Sequence, residues 1–328
     1  MTFAASISLP RQTCDLLKIV AALLVITAHM ASTALGAKYG SDHVAFYAIA
    51  SQNGYIGVAV FFFLSGFGLM ESEQKAHLDL KSFVRRRLMK IYLPVVLVSC
   101  LWLSLLYALP SVAEHQKWGG VFHWRTALYE ILWNFSDPVM WYIRVLIFLY
   151  IAFFVCSVVA LRLGVKNTFM IFLGLSICYA MNDTILGGGI QKHSVPMFAI
   201  GAMTSLIKSD RHAILKFGLM TVISGFAVSA SAFITNHPLT GFAHCFFDYL
   251  MVLFLVIAIS CKPIRWKVPV LLSAITFDLY LVHFKVLIVE SEIMSLTVFL
   301  TLSIPISIAI SYLFMRFRSL LLNPFIAK

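Results

Sequence analysis

Ten apolar segments constrain this chain more than any other feature of its sequence. Each approaches the roughly 20 residues that a helix needs to cross a hydrocarbon core about 30 Å thick. The fifth and sixth are short. The sequence therefore predicts an all-α, polytopic membrane helix bundle of about ten transmembrane helices. The segments lie near 16–36, 54–71, 90–109, 139–160, 167–181, 194–208, 213–234, 242–261, 268–289 and 294–315.

The distribution of basic residues predicts the orientation of these segments. The cluster 85–87 consists of three arginines just beyond the second apolar segment, and such a cluster keeps its loop in the cytoplasm. If the N-terminus is also cytoplasmic, nineteen Lys and Arg residues fall on the inner side. Only four fall outside: Lys38, Lys117, Arg125 and Lys192. We therefore expect both termini to be cytoplasmic.

Composition excludes several other classes of protein. Hydrophobic residues make up 61% of the chain, charged residues 12%, and the mean hydropathy is +0.91, far from the balance of a soluble domain. The net charge of +11 is spread over short loops, so we expect no nucleic-acid partner. The six cysteines lie mostly in apolar stretches without a CxxC pair, so we expect neither a disulfide framework nor a metal site.

Four ionisable residues on four different segments are candidates for a site within the membrane. His29 lies thirteen residues into its segment, about 20 Å from the inner end, and His283, Arg144 and Asp248 are expected at a similar level. Intramembrane charges usually face a cavity or a partner. His283 could equally be a hydrogen-bonded structural residue, and Arg144 and Asp248 a structural ion pair.

Other polar groups have simpler explanations. Asp15 lies about 21 Å along the helix axis from His29, so we expect it to pair with Lys18 near the inner end. Lys285 is expected to extend to the outer interface. The basic residues 85–87 and Lys90 suit a phosphate-rich cofactor, because guanidinium groups bind phosphate through two hydrogen bonds. An anchor on anionic lipid remains the alternative.

Five motifs, in order along the chain, resemble membrane acyltransferase family 3. The motifs are Asp15-x-x-Lys18 followed by His29, the run from Gly57 to Phe67, the segment from Phe83 to Pro94, Met140-Trp141-Tyr142-Ile143, and Tyr280-Leu281-Val282-His283. Two positions depart from the pattern, since Lys18 and Lys90 stand where the family has arginine. Lysine keeps the charge but loses the bidentate geometry.

The resemblance implies a single integral-membrane acyltransferase domain over residues 1–328, in the bacterial inner membrane among membrane lipids. It implies transfer of an acetyl group from cytoplasmic acetyl-CoA to a hydroxyl of a surface glycan or its lipid-linked precursor. His29 would be the base, with Arg144, Asp248 and His283 as further catalytic candidates. Candidates for binding the cofactor are Lys18, Ser65, Arg86, Arg87 and Lys90.

Two alternatives remain open at the level of the sequence. Ser65, beside Gly66, is also typical of a small residue that packs helices together. A polar layer across several spans is also compatible with a transporter or flippase for a glycan or a related small molecule. A transporter, however, has no need to combine the inner basic cluster with a histidine in the first span.

Overall fold

The structure is a computed structural model of the 328-residue chain. It describes residues 9–36, 53–75, 79–108, 124–134, 138–181, 190–206, 213–234, 239–260 and 269–326. Almost all of the described residues lie in helices, and none of them lies in a strand. The helices are α1 (Arg11–Gly36), α2 (Gly54–Lys75), α3 (Leu80–Ala108), α4 (Trp124–Tyr129), α5 (Trp141–Leu163), α6 (Val165–Met181), α7 (Pro196–Leu206), α8 (Ala213–Ile234), α9 (Leu239–Ser260), α10 (Val270–Ile293) and α11 (Leu296–Ile326).

The predicted all-α membrane architecture is confirmed. Each of the ten predicted segments coincides with a helix, and within the described part of the chain seven helices are long and apolar enough to cross a membrane. These are α1, α2, α3, α5, α9, α10 and α11. Two further apolar helices are shorter, over Val165–Met181 and Leu215–Ser231. The cytoplasmic location of the termini stays a prediction.

The chain divides into two compact units, each assembled from discontinuous segments. Unit 1 contains Met1–Leu23, Tyr55–Leu78 and Ile151–Ser273. Unit 2 contains Leu24–Gly54, Asp79–Tyr150 and Ala274–Lys328. The single-domain organisation stays a prediction.

Unit 1 contains a close helix crossing made by two glycines. A Cβ atom added to Gly66 on α2 would lie 1.9 Å from the carbonyl oxygen of Phe198 on α7. A Cβ atom added to Gly201 on α7 would lie 2.0 Å from the carbonyl oxygen of Phe63 on α2. In membranes the hydrophobic effect contributes little to helix association, because lipid tails are as apolar as the side chains. Close van der Waals packing replaces it, and small residues allow the backbones to approach. α2 and α7 can therefore approach this closely only because both positions are glycine.

Unit 2 packs the second half of α1 against α10 and α11. Ala31, Leu287 and Phe299 form one buried cluster among these helices. A second cluster joins Trp102 of α3 to Ile288 of α10. This packing holds the segment of α1 that carries His29 beside α10, which carries His283.

Candidate active site

Two histidines from opposite ends of the sequence meet in unit 2. The ring centroids of His29 on α1 and His283 on α10 lie 5.3 Å apart, and the ring of Phe284 packs edge-on against His29 at 5.4 Å. The sequence placed these two histidines at a similar depth. The structure shows that they are neighbours.

The backbone of α10 determines which ring nitrogen of His283 carries the proton. His283 Nδ1 lies 2.9 Å from the carbonyl oxygens of both Leu279 and Tyr280. A carbonyl oxygen only accepts hydrogen bonds, so Nδ1 carries the hydrogen and donates. In the neutral ring Nε2 is then the basic nitrogen. Nε2 is buried and has no hydrogen-bond partner among the described residues, so a proton acceptor is available beside His29.

Aromatic residues hold His283 in position. The ring of Tyr280 lies 5.8 Å from that of His283 and 5.0 Å from that of Tyr142 on α5. The Tyr280 hydroxyl donates a 2.6 Å hydrogen bond to the carbonyl oxygen of Val139. Burying a polar group is inexpensive only when it is hydrogen-bonded, and this bond ties α10 to the turn that precedes α5. Tyr280 is therefore a structural support for the histidine pair.

A buried ion pair lies five residues before His283 on α10. Arg318 of α11 binds the carboxylate of Asp278 through two hydrogen bonds, one from Nε to Oδ1 and one of 2.9 Å from Nη2 to Oδ2. The Asp278 side chain is fully buried, and that of Arg318 is 23% exposed. Sequence reasoning missed this pair, because it counted Arg318 only as one of the nineteen basic residues of the inner side. The partners are forty residues apart, and no local spacing signals the contact.

The arginine cluster lies on a π-helical turn. Residues Val84–Leu88 form this turn near the start of α3, with the Met89 N–H bonded to the Val84 carbonyl. π-Helical turns occur frequently at functional sites, and the turn changes the direction in which successive side chains project. Arg86 is exposed, while Arg85 and Arg87 are half-buried.

A helix cap precedes this basic turn. Asp79 accepts a 2.9 Å hydrogen bond from the Ser82 N–H. Hydrogen bonds from the Ser82 side chain and backbone lower the pKa of the Asp79 carboxyl below its ordinary value. The ionised carboxylate therefore stabilises the helix start at any pH above the ordinary pKa of an aspartate. This stabilisation is lost as the pH falls through the lowered pKa of Asp79. The start of α3 is therefore well defined at neutral pH.

The predicted pairing of Asp15 with Lys18 is confirmed, and Asp15 has further partners in unit 1. Lys18 Nζ lies 3.2 Å from Asp15 Oδ1, and the Ser273 hydroxyl donates a 2.6 Å hydrogen bond to the same oxygen. Arg11 Nε lies 3.9 Å from Oδ2. Asp15 thus neutralises part of the charge of Lys18, and it links the first turn of α1 to the first turn of α10.

The remaining candidates are divided between the two units. Arg144, on α5, and Lys90, on α3, belong to unit 2 with both histidines and the arginine cluster. Asp248, on α9, and Ser65, on α2, belong to unit 1. Asp248 lies near Tyr55 and Cys245 within this unit. The ion pair between Arg144 and Asp248, and the roles of all these residues, stay predictions.

The expectation for Lys285 is wrong. Its side chain is buried on α10, with 5% of its surface exposed. Its Nζ donates to the carbonyl oxygen of Leu281, one turn back towards the helix N-terminus, at 3.4 Å. The ammonium group is therefore buried and points back along α10, and it does not extend from the helix to an exposed position.

Seven candidate membrane spans, and a buried His283 with a fixed basic nitrogen beside the half-buried His29, define an integral membrane protein with a candidate site for proton transfer. A family model described as an acyltransferase domain matches residues 12–316. The chain therefore belongs to acyltransferase family 3 and is a membrane acyltransferase. No match was found among curated proteins or among solved structures.

Proposed function

We propose that this protein is an O-acetyltransferase of the bacterial inner membrane. It moves an acetyl group from cytoplasmic acetyl-CoA to a hydroxyl of a cell-surface polysaccharide or its lipid-linked precursor. The observation that carries the proposal is the contact between His29 and His283, with Nε2 of His283 left as a proton acceptor. Membership of the acyltransferase family supports this reaction over transport.

In the proposed reaction the histidine pair takes the proton of the acceptor hydroxyl. The acceptor oxygen then attacks the carbonyl carbon of the thioester, so that a C–O bond forms and the C–S bond breaks. The CoA thiolate leaves and takes up the proton from the imidazolium. An imidazole can both accept and donate a proton, so the same group can perform both transfers.

The arginine cluster supports the donor side of the proposal. Arg86 and Arg87 project from the π-helical turn at an end of α3 that is predicted to be cytoplasmic, and they suit the phosphates of CoA. Lys90, one turn further along, would add charge without bidentate geometry. Lys18 is a weaker candidate for phosphate binding, because Asp15 already holds its ammonium group.

The test compares cells with and without the gene, by mass spectrometry of their surface glycans. We expect an acetyl mass difference that disappears in the deletion strain and returns with the wild-type gene. Membranes containing the protein should also transfer radiolabel from acetyl-CoA to the glycan fraction. Identical glycan masses in both strains, together with no transfer of label, would overturn the proposal.

A further inference from the structure

A cavity of about 420 Å³ lies in unit 2 between α3, α10 and α11. Its volume falls within the range of about 300–1,000 Å³ that is typical of small-molecule sites. The wall is almost entirely apolar and includes Val98 and Trp102 of α3, Val282 and Val286 of α10, and Phe314 of α11. Such a wall selects an apolar occupant, because a polar group that entered would lose its hydrogen bonds.

Two ionisable residues line the cavity, yet its surface stays apolar. Lys285 Nζ donates to the carbonyl oxygen of Leu281 on its own helix, and the carboxyl oxygens of Glu290 are fully buried. The cavity surface that the described residues form is thus almost free of polar atoms. It offers no partner to a headgroup or a sugar, so the occupant is recognised by its hydrocarbon alone.

The mouth of the cavity opens on the sides of membrane-spanning helices. Leu101 and Leu105 on α3 are 44% and 39% exposed, and Ile310 on α11 is 38% exposed. All three line the cavity and lie within candidate membrane spans. The molecules that surround an apolar surface in this part of a membrane are the acyl chains of the bilayer. The cavity is therefore continuous with the lipid-facing surface of α3 and α11.

The chemistry of the wall favours hydrocarbon over water. Apolar wall atoms gain dispersion contacts with a hydrocarbon chain. A buried water molecule needs about two to four polar partners, and this wall supplies almost none. Filling an apolar cavity also stabilises the structure around it. The acyl chains of the bilayer match the wall chemically and already lie at the mouth.

We propose that one acyl chain of a bilayer phospholipid inserts into this cavity, whatever its headgroup. The chain enters between α3 and α11 and packs against α10, while the headgroup stays with the surrounding bilayer. The inserted chain extends the packing around the histidines, because Val282 of the wall directly precedes His283 and Trp102 belongs to the cluster that Phe284 joins. This lipid site is independent of the proposed acetyl transfer, since it needs neither acetyl-CoA nor an acceptor.

Quenching of Trp102 by brominated lipid tests the site. Trp102 is 5% exposed, so the surrounding bilayer has little access to its ring, whereas a chain in the cavity touches it. The full-length protein is placed in vesicles of phosphatidylcholine brominated at mid-chain, and the fluorescence lost in Trp102→Phe isolates the signal of this residue. We expect strong quenching of Trp102 relative to vesicles without bromine. Absence of this quenching would overturn the proposal.

Substitutions of matched size separate insertion from contact with the surrounding bilayer. Val286→Phe fills the cavity and should remove most of the quenching, whereas Val159→Phe, at an exposed position on α5, should leave it unchanged. Thermal unfolding shows whether each variant is folded. Ile310→Phe, which narrows the mouth, replaces Val286→Phe if that variant does not fold. Full quenching of Trp102 in the folded cavity variant would place the bromines outside the cavity, and the proposal would fail.

The identity of the occupant is tested by changing the headgroup. Brominated phosphatidylglycerol should quench Trp102 to the same extent as brominated phosphatidylcholine, because only the chain enters. A preference of about tenfold or more for the anionic lipid would contradict recognition by the chain alone.

Thermal unfolding in detergent gives an independent measurement. Added phosphatidylcholine should raise the unfolding midpoint of the wild type more than that of Val286→Phe, because a ligand of the folded state stabilises it and the filled cavity admits no chain. Equal rises in both proteins would show that the lipid acts elsewhere and would overturn the proposal.

Discussion

His283 illustrates how a single residue can be both structural and chemical. Its Nδ1 is bonded to the backbone of its own helix, which fixes the ring, and its Nε2 is left as a base beside His29. The sequence left open whether His283 is a satisfied structural histidine. Nδ1 therefore has a structural role and Nε2 a chemical one, and a suitable substitution can remove one role while keeping the other.

The first prediction concerns the two histidines. His29→Ala should lower glycan acetylation by about 10²–10⁴, the usual effect of removing a general base, with little change in protein level or acetyl-CoA binding. His283→Asn keeps a donor at the position of Nδ1 but lacks Nε2, so it should fold normally and lose activity. His283→Ala should in addition lower the unfolding temperature.

The measurement is glycan acetylation by mass spectrometry, with thermal unfolding of each purified variant as the control. Near-normal acetylation by a well-expressed His29→Ala protein would contradict the mechanism and direct attention to Asp248. Full activity of His283→Asn would assign His283 a structural role only.

The second prediction concerns the arginine cluster. Arg86→Ala and Arg87→Ala should each weaken acetyl-CoA binding at least tenfold, because a charged hydrogen bond contributes about 1.5–3 kcal/mol. Lys81→Ala, an exposed basic residue in the first turn of the same helix, is the matched control. Calorimetric titration of the purified variants checks this. Unchanged affinity in both arginine variants would make the cluster a lipid anchor.

At the scale of secondary-structure elements, two contacts determine how helices meet. Within unit 1, Gly66 and Gly201 allow α2 and α7 to approach at backbone distance. Within unit 2, Asp278 and Arg318 tie α10 to α11 close to the histidine that the site requires. All four residues can be read from the sequence, but the sequence does not show which residue each of them contacts.

The third prediction concerns the glycine crossing. Gly201→Ala places a Cβ at 2.0 Å from the Phe63 carbonyl oxygen, so the helices must separate, at a cost of about 1–3 kcal/mol or more. Gly68→Ala, on α2, is the matched control because its added Cβ meets nothing within 4 Å. Thermal unfolding in detergent should show a lower midpoint for the first variant only. Equal midpoints would exclude a tight crossing.

The fourth prediction concerns the buried ion pair. Arg318→Met leaves the Asp278 carboxylate buried without its cation, and breaking such a pair typically costs about 3–5 kcal/mol. The double variant Asp278→Asn/Arg318→Met should recover much of the lost stability, since the unpaired charge is gone. Arg316→Met, at an exposed position two residues away, should have little effect. Unfolding free energies of the wild type, the single variants Asp278→Asn and Arg318→Met, and the double variant decide the matter, and additivity of the two substitutions would contradict the pairing.

At the scale of the whole molecule, the charge asymmetry of the loops predicts one orientation in the membrane. With nineteen basic residues predicted on one side and four on the other, the proposed donor acetyl-CoA would approach from the side of the arginine cluster. The same predicted orientation would direct the C-terminal end of α10 towards the outer leaflet. Donor and acceptor would thus approach the histidine pair from opposite sides.

The fifth prediction tests this orientation. Single cysteines introduced at positions 80 and 325 should be protected from a membrane-impermeant thiol reagent in intact cells, whereas a cysteine at position 117 should be labelled. The background is a variant without the six native cysteines that retains activity. Labelling of the C-terminal position in intact cells would overturn the ten-span arrangement.

The sequence by itself determined where the helices are and which family the chain belongs to. Apolar runs and short motifs are local properties, and helices satisfy their backbone hydrogen bonds within one segment whatever surrounds them. For the same reason the pairing of Asp15 with Lys18, three residues apart on one helix, was predictable.

Only the tertiary structure decided which side chains meet. The contact between His29 and His283, the ion pair between Asp278 and Arg318, and the burial of Lys285 all depend on packing between helices distant in sequence. Hydropathy records that a segment is apolar, but it carries little information about which face of a helix turns to lipid and which to a neighbour. Van der Waals fit and the pairing of buried polar groups select that face, and both exist only once the helices are assembled.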